Sequence, residues 1–598
     1  MTNSSSQITK SSTAEYFAKN LQQVGFSSPA KAVLTTLKEA MDNALDACEE
    51  FGILPEITVI IEKKGKGHLR HTDRIMIRVV DNGPGLTLQQ VPMVFGEYLA
   101  SSKFGRGRCS RGQQGIGISA ATTWAVQTSA TGARVITKQK NMKKALSCMV
   151  ITDLKKNQGI IKEKEMTNWD REHGTSVEFL IDGRLQMNGE GGILAYLRGN
   201  ILLNPHLTLK YQLPDLAPTT ISRVSDIVPV IPPSLPPHPH TMKLGEFMSH
   251  ARLFGRIKLS DWLERGFSRL SRPEITAIVK TSGYKASLAE QTVTSLTAEQ
   301  LKKLFATIQE MDLRPPATKS VITIGEEALS LSIQRLGQID YFSVVSRRPI
   351  ICDLKPVQVE VAVARLQTKG GDSDEAVQVL RFANRVPLQF DRASCAIIKA
   401  ISSVNWRAYN LKQSKGGLPS GPYIIAVSIV SPFIKFKNAS KETIDASDEL
   451  VEEIRAALMK AGLKLSRHLK KEHKERELES KLQHIEKFSP ILVDTLCRLT
   501  NANKERRLRA ENGLLKILGR DNQETVKELQ AAEVKLAAHL SKQKDSLVMF
   551  NDEDKQLMHH EEELSEKPLD LEEAEPKKKT KKAPAAKKAP AAKKKKKK

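Results

Sequence analysis

The stretch SSKFGRGRCSRGQQGIGISAATTW (residues 101–124) constrains the fold more than any other part of this sequence. Its centre, RGQQGIG (111–117), has three glycines and no acidic side chain, and the residues that follow are typical of a helix. A glycine-rich loop at a helix N-terminus presents backbone amides, which bind anions together with the helix dipole. The sequence therefore predicts a phosphate-binding loop, to which Lys103 and Arg111 add positive charge.

Two common kinds of phosphate loop do not fit this stretch. No Gly-Lys-Ser/Thr ends it, so it is not a Walker A loop. Gly112, Gly115 and Gly117 lack the dinucleotide-binding spacing, and no strand–helix–strand unit with a later acidic residue surrounds them. What remains is a glycine-rich loop at a helix N-terminus, whose amides and helix dipole can hold an anion.

A helix is predicted upstream, in KAVLTTLKEAMDNALDACEEFG (31–52). Its apolar residues recur at helical spacing and form one arc: Leu34, Leu37, Met41, Ala44, Leu45 and Cys48. Glu39 and Asn43 lie one turn apart, roughly opposite that arc. Taken alone, they could equally form a solvated face, which is the usual fate of such residues.

The next segment, ITVIIEKKGKGHLRHTDRIMIRVVDNGPGL (57–86), predicts a strand, a basic turn and a second strand. The second strand ends at Asp81, and Gly83 and Gly85 allow close approach to the backbone there. An acceptor in that place can receive the exocyclic amine of adenine, although an ordinary tight turn also explains these residues. Further on, EHGTSVEFLID (172–182) places Thr175 at the start of another strand.

In this order, the four segments resemble the nucleotide-binding fold shared by gyrase, the ninety-kilodalton heat-shock chaperone, histidine kinases and mismatch-repair ATPases. The glycine-rich loop resembles, more specifically, the B subunit of type IIB topoisomerases (topoisomerase VI). The resemblance covers roughly residues 12–500 and includes RFANRVPL (381–388), VNWRAYNL (404–411) and SKETI (440–444).

The resemblance implies a role for each matching residue. Glu39 would activate the water that attacks ATP, Asn43 would ligate Mg2+, and Asp81 would bind adenine with Gly83, Gly85 and Thr175 around it. The phosphates would be wrapped by residues of the glycine-rich loop: Ser102, Lys103, Arg111, Gly112, Gln113, Gln114, Gly115, Ile116, Gly117 and Ile118. Lys441 would reach the terminal phosphate, with Lys435 and Lys437 as neighbouring alternatives.

We expect an α+β chain with several parts. The resemblance implies an ATPase domain with a Bergerat-type α/β sandwich (15–225), a proline-rich connector with a helix-two-turns-helix insert (226–314), an α/β transducer domain (315–455) and a helical stalk with a partner-binding region (456–545). Composition adds a flexible N-terminus (1–14) and a disordered acidic, then lysine-rich tail (546–598), for which the family offers no counterpart. Within the transducer, periodicity predicts strands in 357–366 and 423–436, and a helix that feeds another strand in 373–388.

Charge points to a polyanionic partner. The formal net charge is +25, and residues 577–598 contribute 13 lysines and no acid to it. A segment of that composition cannot bury a core, and it favours sequence-neutral binding to DNA phosphates. No secretory signal, membrane-length apolar run or C-x-x-C pair occurs, so we expect a cytoplasmic, DNA-associated protein with free thiols.

These features predict the ATP-hydrolysing subunit of a type IIB topoisomerase that relaxes or decatenates double-stranded DNA. The resemblance implies self-dimerisation on ATP binding and a heterotetramer with two A subunits, which carry the cleaving tyrosine. The partner-binding helix would lie in 481–499, where Leu482, Ile485, Phe488 and Ile491 permit a docking face, although they equally permit an intramolecular core. The alternative is an ATP-dependent DNA clamp without a cleaving partner. A histidine kinase is disfavoured because no phospho-accepting helix precedes the ATPase segment.

Overall fold

The computed structural model describes residues 11–101, 107–112, 114–367, 376–438, 440–510 and 512–513. The chain divides into two compact units, Met1–Glu472 and His473–Lys598. The predicted tail (546–598) lies outside the described residues. The domain boundaries given above remain predictions.

An eight-stranded mixed sheet and the helices on it form the first part of unit Met1–Glu472. Its strands are β1 (Glu56–Lys66), β2 (Asp73–Val80), β3 (Ala133–Lys138), β4 (Ala145–Asp153), β5 (Gln158–Thr167), β6 (Gly174–Gly183), β7 (Thr208–Gln212) and β8 (Thr219–Ile221). Their order is β5-β4-β3-β6-β2-β1-β7-β8, with β1 and β7 parallel. The predicted strand–turn–strand in 57–86 is confirmed as the β1–β2 hairpin, and the strand predicted at Thr175 is confirmed as β6.

The helices of this part are α1 (Thr13–Lys19), α2 (Pro29–Glu50), α3 (Gln90–Gly96), α4 (Gly117–Ser129) and α5 (Ile193–Leu203). Helix α2 begins where sequence rules place it, because the Ser28 side chain accepts from the Lys31 amide and Pro29 occupies the first turn. All six apolar residues of its predicted arc are buried, and α2 packs on β2, β6 and α4. Helix α4 starts directly at the end of the glycine-rich loop, as predicted.

A helical insert follows the proline-rich connector. It contains α6 (Leu244–Phe254), α7 (Leu259–Gly266), α8 (Arg272–Thr281) and α9 (Ala298–Glu310), which confirms the short helices expected there. Thr297 caps α9 by accepting from the Gln300 amide. The insert has its own core around Trp262, which is fully buried against Phe247 and Phe267.

A second sheet lies in the segment where the transducer domain is predicted (315–455), which we call the transducer region. Its strands are β9 (Ile339–Ser346), β10 (Ile350–Cys352), β11 (Lys355–Leu366), β12 (Gln378–Ala383), β13 (Val386–Leu388) and, after the short hairpin strands β14 (Lys412–Gln413) and β15 (Pro419–Ser420), β16 (Tyr423–Val430). The path is β10-β11-β16-β12-β13, with β9 also on β11. Helices α10 (Glu326–Ile333) and α11 (Ala396–Ser403) belong to the same region.

Two sequence expectations need correction here. The helix predicted in 373–388 is wrong, because its described part forms β12 and β13, and β12 pairs in parallel with the central strand β16. The buried run predicted over 423–436 is a strand only to Val430, since Ser431 is followed by Pro432, which has no amide to continue the ladder.

A long charged helix, α12 (Asp448–Leu499), continues past Pro490 and forms the first part of the predicted stalk (456–545), of which residues 514–545 lie outside the described residues. No helix within the described ranges is both long and apolar enough to cross a lipid bilayer.

Candidate functional site

A cavity of about 250 Å³ lies where the first sheet, α2, the glycine-rich loop and the transducer region meet. The predicted site residues that line it are Glu39, Asn43, Asp81, Gly85, Gly112, Gln114, Gly115, Ile116, Gly117, Ile118, Thr175 and Lys441. Residues from five separate stretches of sequence therefore converge on one space. Pockets of this kind, mostly apolar with a few polar groups, are the usual form of a small-molecule site.

Asp81 closes one end of the cavity. Its carboxylate is buried, and Oδ1 accepts from the amides of Gly83 (2.8 Å) and Thr175 (3.1 Å). Burial raises the pKa of Asp81 to about 6, which the two amide hydrogen bonds partly oppose. Gly83 does not line the cavity itself but holds Asp81 in place through its backbone. Gly85 has φ +74°, and a Cβ there would lie 2.2 Å from the carbonyl oxygen of Lys138, so this position requires glycine.

The glycine-rich loop and the start of α4 form the opposite end. Gly117, the first residue of α4, lies directly against the Glu39 side chain, because a Cβ at Gly117 would be 2.0 Å from the Glu39 carboxyl carbon. Glu39 and Asn43 are half-buried and face the cavity rather than open solvent. The arrangement places a carboxylate and an amide oxygen beside backbone amides suited to phosphate.

The prediction that Arg111 contributes charge to bound phosphate is wrong for this structure. Its guanidinium is fully buried and is bonded to Asp46 (2.8 Å), Glu49 (2.7 and 2.9 Å) and Asn204 (2.6 Å), outside the cavity lining. A buried arginine is stable only when paired in this way, so its charge serves the internal packing. Ser102, Lys103 and Gln113 lie outside the described residues.

Lys441 reaches the cavity from the loop between β16 and α12. Its Nζ donates to the carbonyl oxygen of Arg111 (3.0 Å), and burial lowers its pKa, while the nearby negative charge of Glu39 opposes that shift. Of the three lysines considered from sequence, Lys441 lines the cavity, whereas Lys435 pairs with Asp445 at 3.0 Å. Lys437 is not part of the lining.

Sequence reasoning missed the transducer wall beside Lys441. Gln389 and Phe390 also line the cavity, and so does Glu442, whose carboxylate accepts from Lys31 Nζ at 3.0 Å. The same ammonium lies 4.5 Å from the centre of the Phe390 ring. Gln389 and Phe390 directly follow RFANRVPL (381–388), one of the segments that carry the family resemblance. That proximity is the one sequence signal that could have identified them.

Comparison with known proteins matches the two halves of this site to two families. A family described as histidine kinase-, DNA gyrase B- and HSP90-like ATPase matches residues 30–182, and one described as topoisomerase VI B subunit, transducer, matches residues 316–481. The B subunit of type 2 DNA topoisomerase 6 from Archaeoglobus fulgidus is 35% identical over 489 residues, which cover 82% of this chain and 79% of that protein. This chain belongs to that family.

Other comparisons agree with the assignment. The B subunit of type 2 DNA topoisomerase 6 from Methanococcoides burtonii is 34% identical over 81% of this chain and 77% of that protein. Among solved structures, the B-subunit of the DNA gyrase from Myxococcus xanthus aligns over 76% of this chain and 95% of that chain, at 11% identity and a TM-score of 0.37. Overlap at so low a score adds no weight to the assignment. The family assignment therefore depends on the sequence matches.

Proposed function

We propose that this chain is the ATP-binding and ATP-hydrolysing subunit of a type IIB topoisomerase, in which nucleotide binding drives passage of one DNA duplex through another. One observation carries the proposal: Lys441, from the transducer region, lines the same cavity as Glu39 and the glycine-rich loop. A cavity shared in this way lets a bound nucleotide favour one arrangement of the ATPase and transducer regions. The family membership supports the same interpretation.

The lining residues fit ATP with Mg2+. Asp81, whose carboxylate accepts from two backbone amides, would accept from the adenine amine, with Thr175 beside it. The amides of Gly112 and of residues 114–118, at the start of α4, suit the phosphates. Asn43 offers one amide oxygen, and Mg2+ commonly takes one or two protein oxygens and completes its shell with phosphates and water. Bound Mg2+ would supply charge neutralisation at the phosphates.

Glu39 is the proposed general base. Its carboxylate faces the cavity, one turn from Asn43 and in contact with Gly117 at the phosphate end. It would accept a proton from the attacking water, a role that contributes about 10²–10⁴-fold to rate. Lys441 would donate to the terminal phosphate in place of the Arg111 carbonyl, which accepts from it here.

The partners follow from the same proposal. Two copies of the chain would dimerise on binding ATP and assemble with two A subunits, which carry the cleaving tyrosine, on double-stranded DNA in the cytoplasm. In unit His473–Lys598, α12 exposes a row of large apolar side chains at helical spacing: Ile485, Phe488, Ile491, Leu492 and Leu496. An apolar row of this kind on an exposed helix face supports docking of the A subunit there.

The test is an ATP-dependent relaxation assay with the cognate A subunit and supercoiled DNA. We expect relaxation by the native chain, and loss of both relaxation and ATP turnover in Glu39→Ala with nucleotide binding retained. Glu39→Ala that relaxes DNA at full ATP turnover would contradict the mechanism. ATP-dependent retention of DNA without relaxation by any A subunit would favour the clamp alternative.

A further inference from the structure

A buried cluster of charged side chains surrounds Glu49, which lies on α2 outside the lining of the nucleotide cavity. Glu49 is ten residues after Glu39 on α2, or about 15 Å along the helix axis. Its carboxylate accepts from Arg111 (2.7 and 2.9 Å), Arg385 (2.6 and 2.9 Å) and His206 (2.9 Å). These three donors come from the glycine-rich loop, the β12–β13 turn of the transducer and the α5–β7 connection.

The charges of the cluster balance. Arg111 and Arg385 face Glu49 and Asp46, and all four side chains are almost fully buried. Burial alone would raise the pKa of Glu49, but the two arginines hold it well below its usual range. Burial lowers the pKa of His206, which favours its neutral form. Breaking a buried pair of this kind leaves an uncompensated charge, so its members must stay together.

Arg385 also occupies an unusual backbone conformation. Asn384 and Arg385 form the two-residue connection between β12 and β13, and both have positive φ (47° and 66°). Asn and Gly are favoured in such turns, whereas an arginine there costs free energy that other contacts must offset. The bidentate bond to Glu49 is that contact, and it aims the guanidinium away from its own sheet into the ATPase region.

The cluster connects directly to the proposed catalytic groups. Arg111 uses its side chain to bind Glu49 and its carbonyl oxygen to accept from Lys441 Nζ. Glu39 lies on the same helix as Glu49. The position of Lys441 relative to Glu39 therefore depends on the hydrogen bonds that Arg111 and Arg385 both donate to the Glu49 carboxylate.

We propose that Glu49 and Arg385 are positioning residues of the ATPase site. Because the Glu49 carboxylate binds both Arg111 of the glycine-rich loop and Arg385 of the transducer turn, it fixes the position of Lys441 relative to Glu39. This inference rests on the proposed function. Neither residue lines the nucleotide cavity. Their loss should therefore impair turnover and coupling while leaving nucleotide affinity nearly unchanged, which a loss of general stability would not do.

The experiment compares Arg385→Met with Arg365→Met in the full-length chain with its A subunit and DNA. Arg365 is a matched control because it pairs with Asp340 (2.8 Å) and Glu472 (2.6 Å) in the transducer region, away from Glu49. We expect kcat for ATP to fall at least about 10-fold in Arg385→Met, since small misplacements of reacting groups cost up to about 100-fold. Nucleotide Kd should stay within about twofold, and Arg365→Met should keep native kcat.

Two further variants sharpen the test. Glu49→Gln combined with Arg385→Met removes one charge of each sign. The kcat of this double variant should match that of Arg385→Met alone, because both substitutions break the same Glu49–Arg385 ion pair. Arg385→Lys keeps the charge but loses the bidentate geometry, so its kcat should lie between native and Arg385→Met. If Arg385→Met does not fold, Arg385→Lys decides the matter: reduced kcat with native Kd supports the proposal.

Native kcat in Arg385→Met, or in Arg385→Lys when it stands in, would overturn the inference. Equal losses in Arg385→Met and Arg365→Met, or a loss of nucleotide affinity as large as the loss of kcat, would overturn it too. Glu39→Ala is measured in parallel. Native turnover in that variant would reject the proposed mechanism itself, whatever the Arg385 variants do.

Discussion

The contact between Gly117 and Glu39 provides a sharp test of the site, through the substitution Gly117→Ala. An added Cβ would lie 2.0 Å from both the carboxyl carbon and Oε2 of Glu39, and 2.6 Å from its Cγ. Ordinary contacts begin at 3.4 Å, so the carboxylate must move by more than an ångström. The Glu39 side chain can do this, because it is flexible and borders a cavity.

The expected consequence falls on catalysis rather than on folding. A misplacement of about 1 Å can cost about 100-fold in rate, or about 2.7 kcal/mol of transition-state stabilisation. Alanine is a better helix former than glycine by about 0.5–1 kcal/mol, which partly offsets the strain. We expect kcat for ATP hydrolysis to fall about 100-fold. The thermal midpoint should stay close to the native value, as measured by steady-state turnover and calorimetry on the full chain.

Gly245→Ala is the matched control. Gly245 is the second residue of α6, and a Cβ there would meet nothing within 4 Å. It should leave turnover unchanged. Gly117→Ala with native kcat and an intact fold would refute the argument that the position of the Glu39 carboxylate controls hydrolysis. The double variant Gly117→Ala with Glu39→Ala should be no slower than Glu39→Ala alone, because both act through one group.

Three other predictions concern separate parts of the chain. The proposed adenine contact requires an ionised Asp81, whose pKa is about 6, so the affinity for an adenine nucleoside should fall as the pH drops through 6. Calorimetric titrations on Asp81→Asn should show no change in affinity over the same pH range. Trp262→Ala should destabilise the helical insert by about 3–5 kcal/mol, visible as faster hydrogen exchange in residues 244–310 with nucleotide affinity retained. Removing residues 577–598 should weaken DNA binding at low salt and flatten its salt dependence by about 0.9 per lost phosphate contact; equal affinity with and without them would reject a role for the tail in DNA binding.

Local sequence patterns predict where several residues of the candidate site lie in the fold, and the family resemblance supplies their expected roles. Glu39 and Asn43 sit one turn apart on a helix whose apolar arc is unambiguous. Asp81 directly follows a predicted strand, and Gly117 begins the helix after the loop. Each of these placements depends on residues within a few positions of one another. Short-range rules therefore suffice for them.

The failures involve contacts that are distant in sequence. Local rules place Arg111 at the phosphates, but its partner Glu49 lies 62 residues away, and no local pattern shows that pairing. Arg385 meets the same carboxylate across 336 residues. The segment of β12 has a local preference for helix, and its parallel pairing with β16 outweighs that preference.

The mixed origin of the cavity wall has a consequence for inhibitor design. Asp81 directly follows β2 of the first sheet, whereas Gln389 and Phe390 belong to the transducer region. Under the proposed function, a compound that contacts only the Asp81 side of the cavity would compete with the adenine group alone. A compound that extends to Phe390 would contact both regions. It would therefore bind more tightly to the arrangement in which the two regions lie close together. The measured potency of such a compound would then depend on the fraction of molecules in that close arrangement as well as on the intrinsic affinity of the compound.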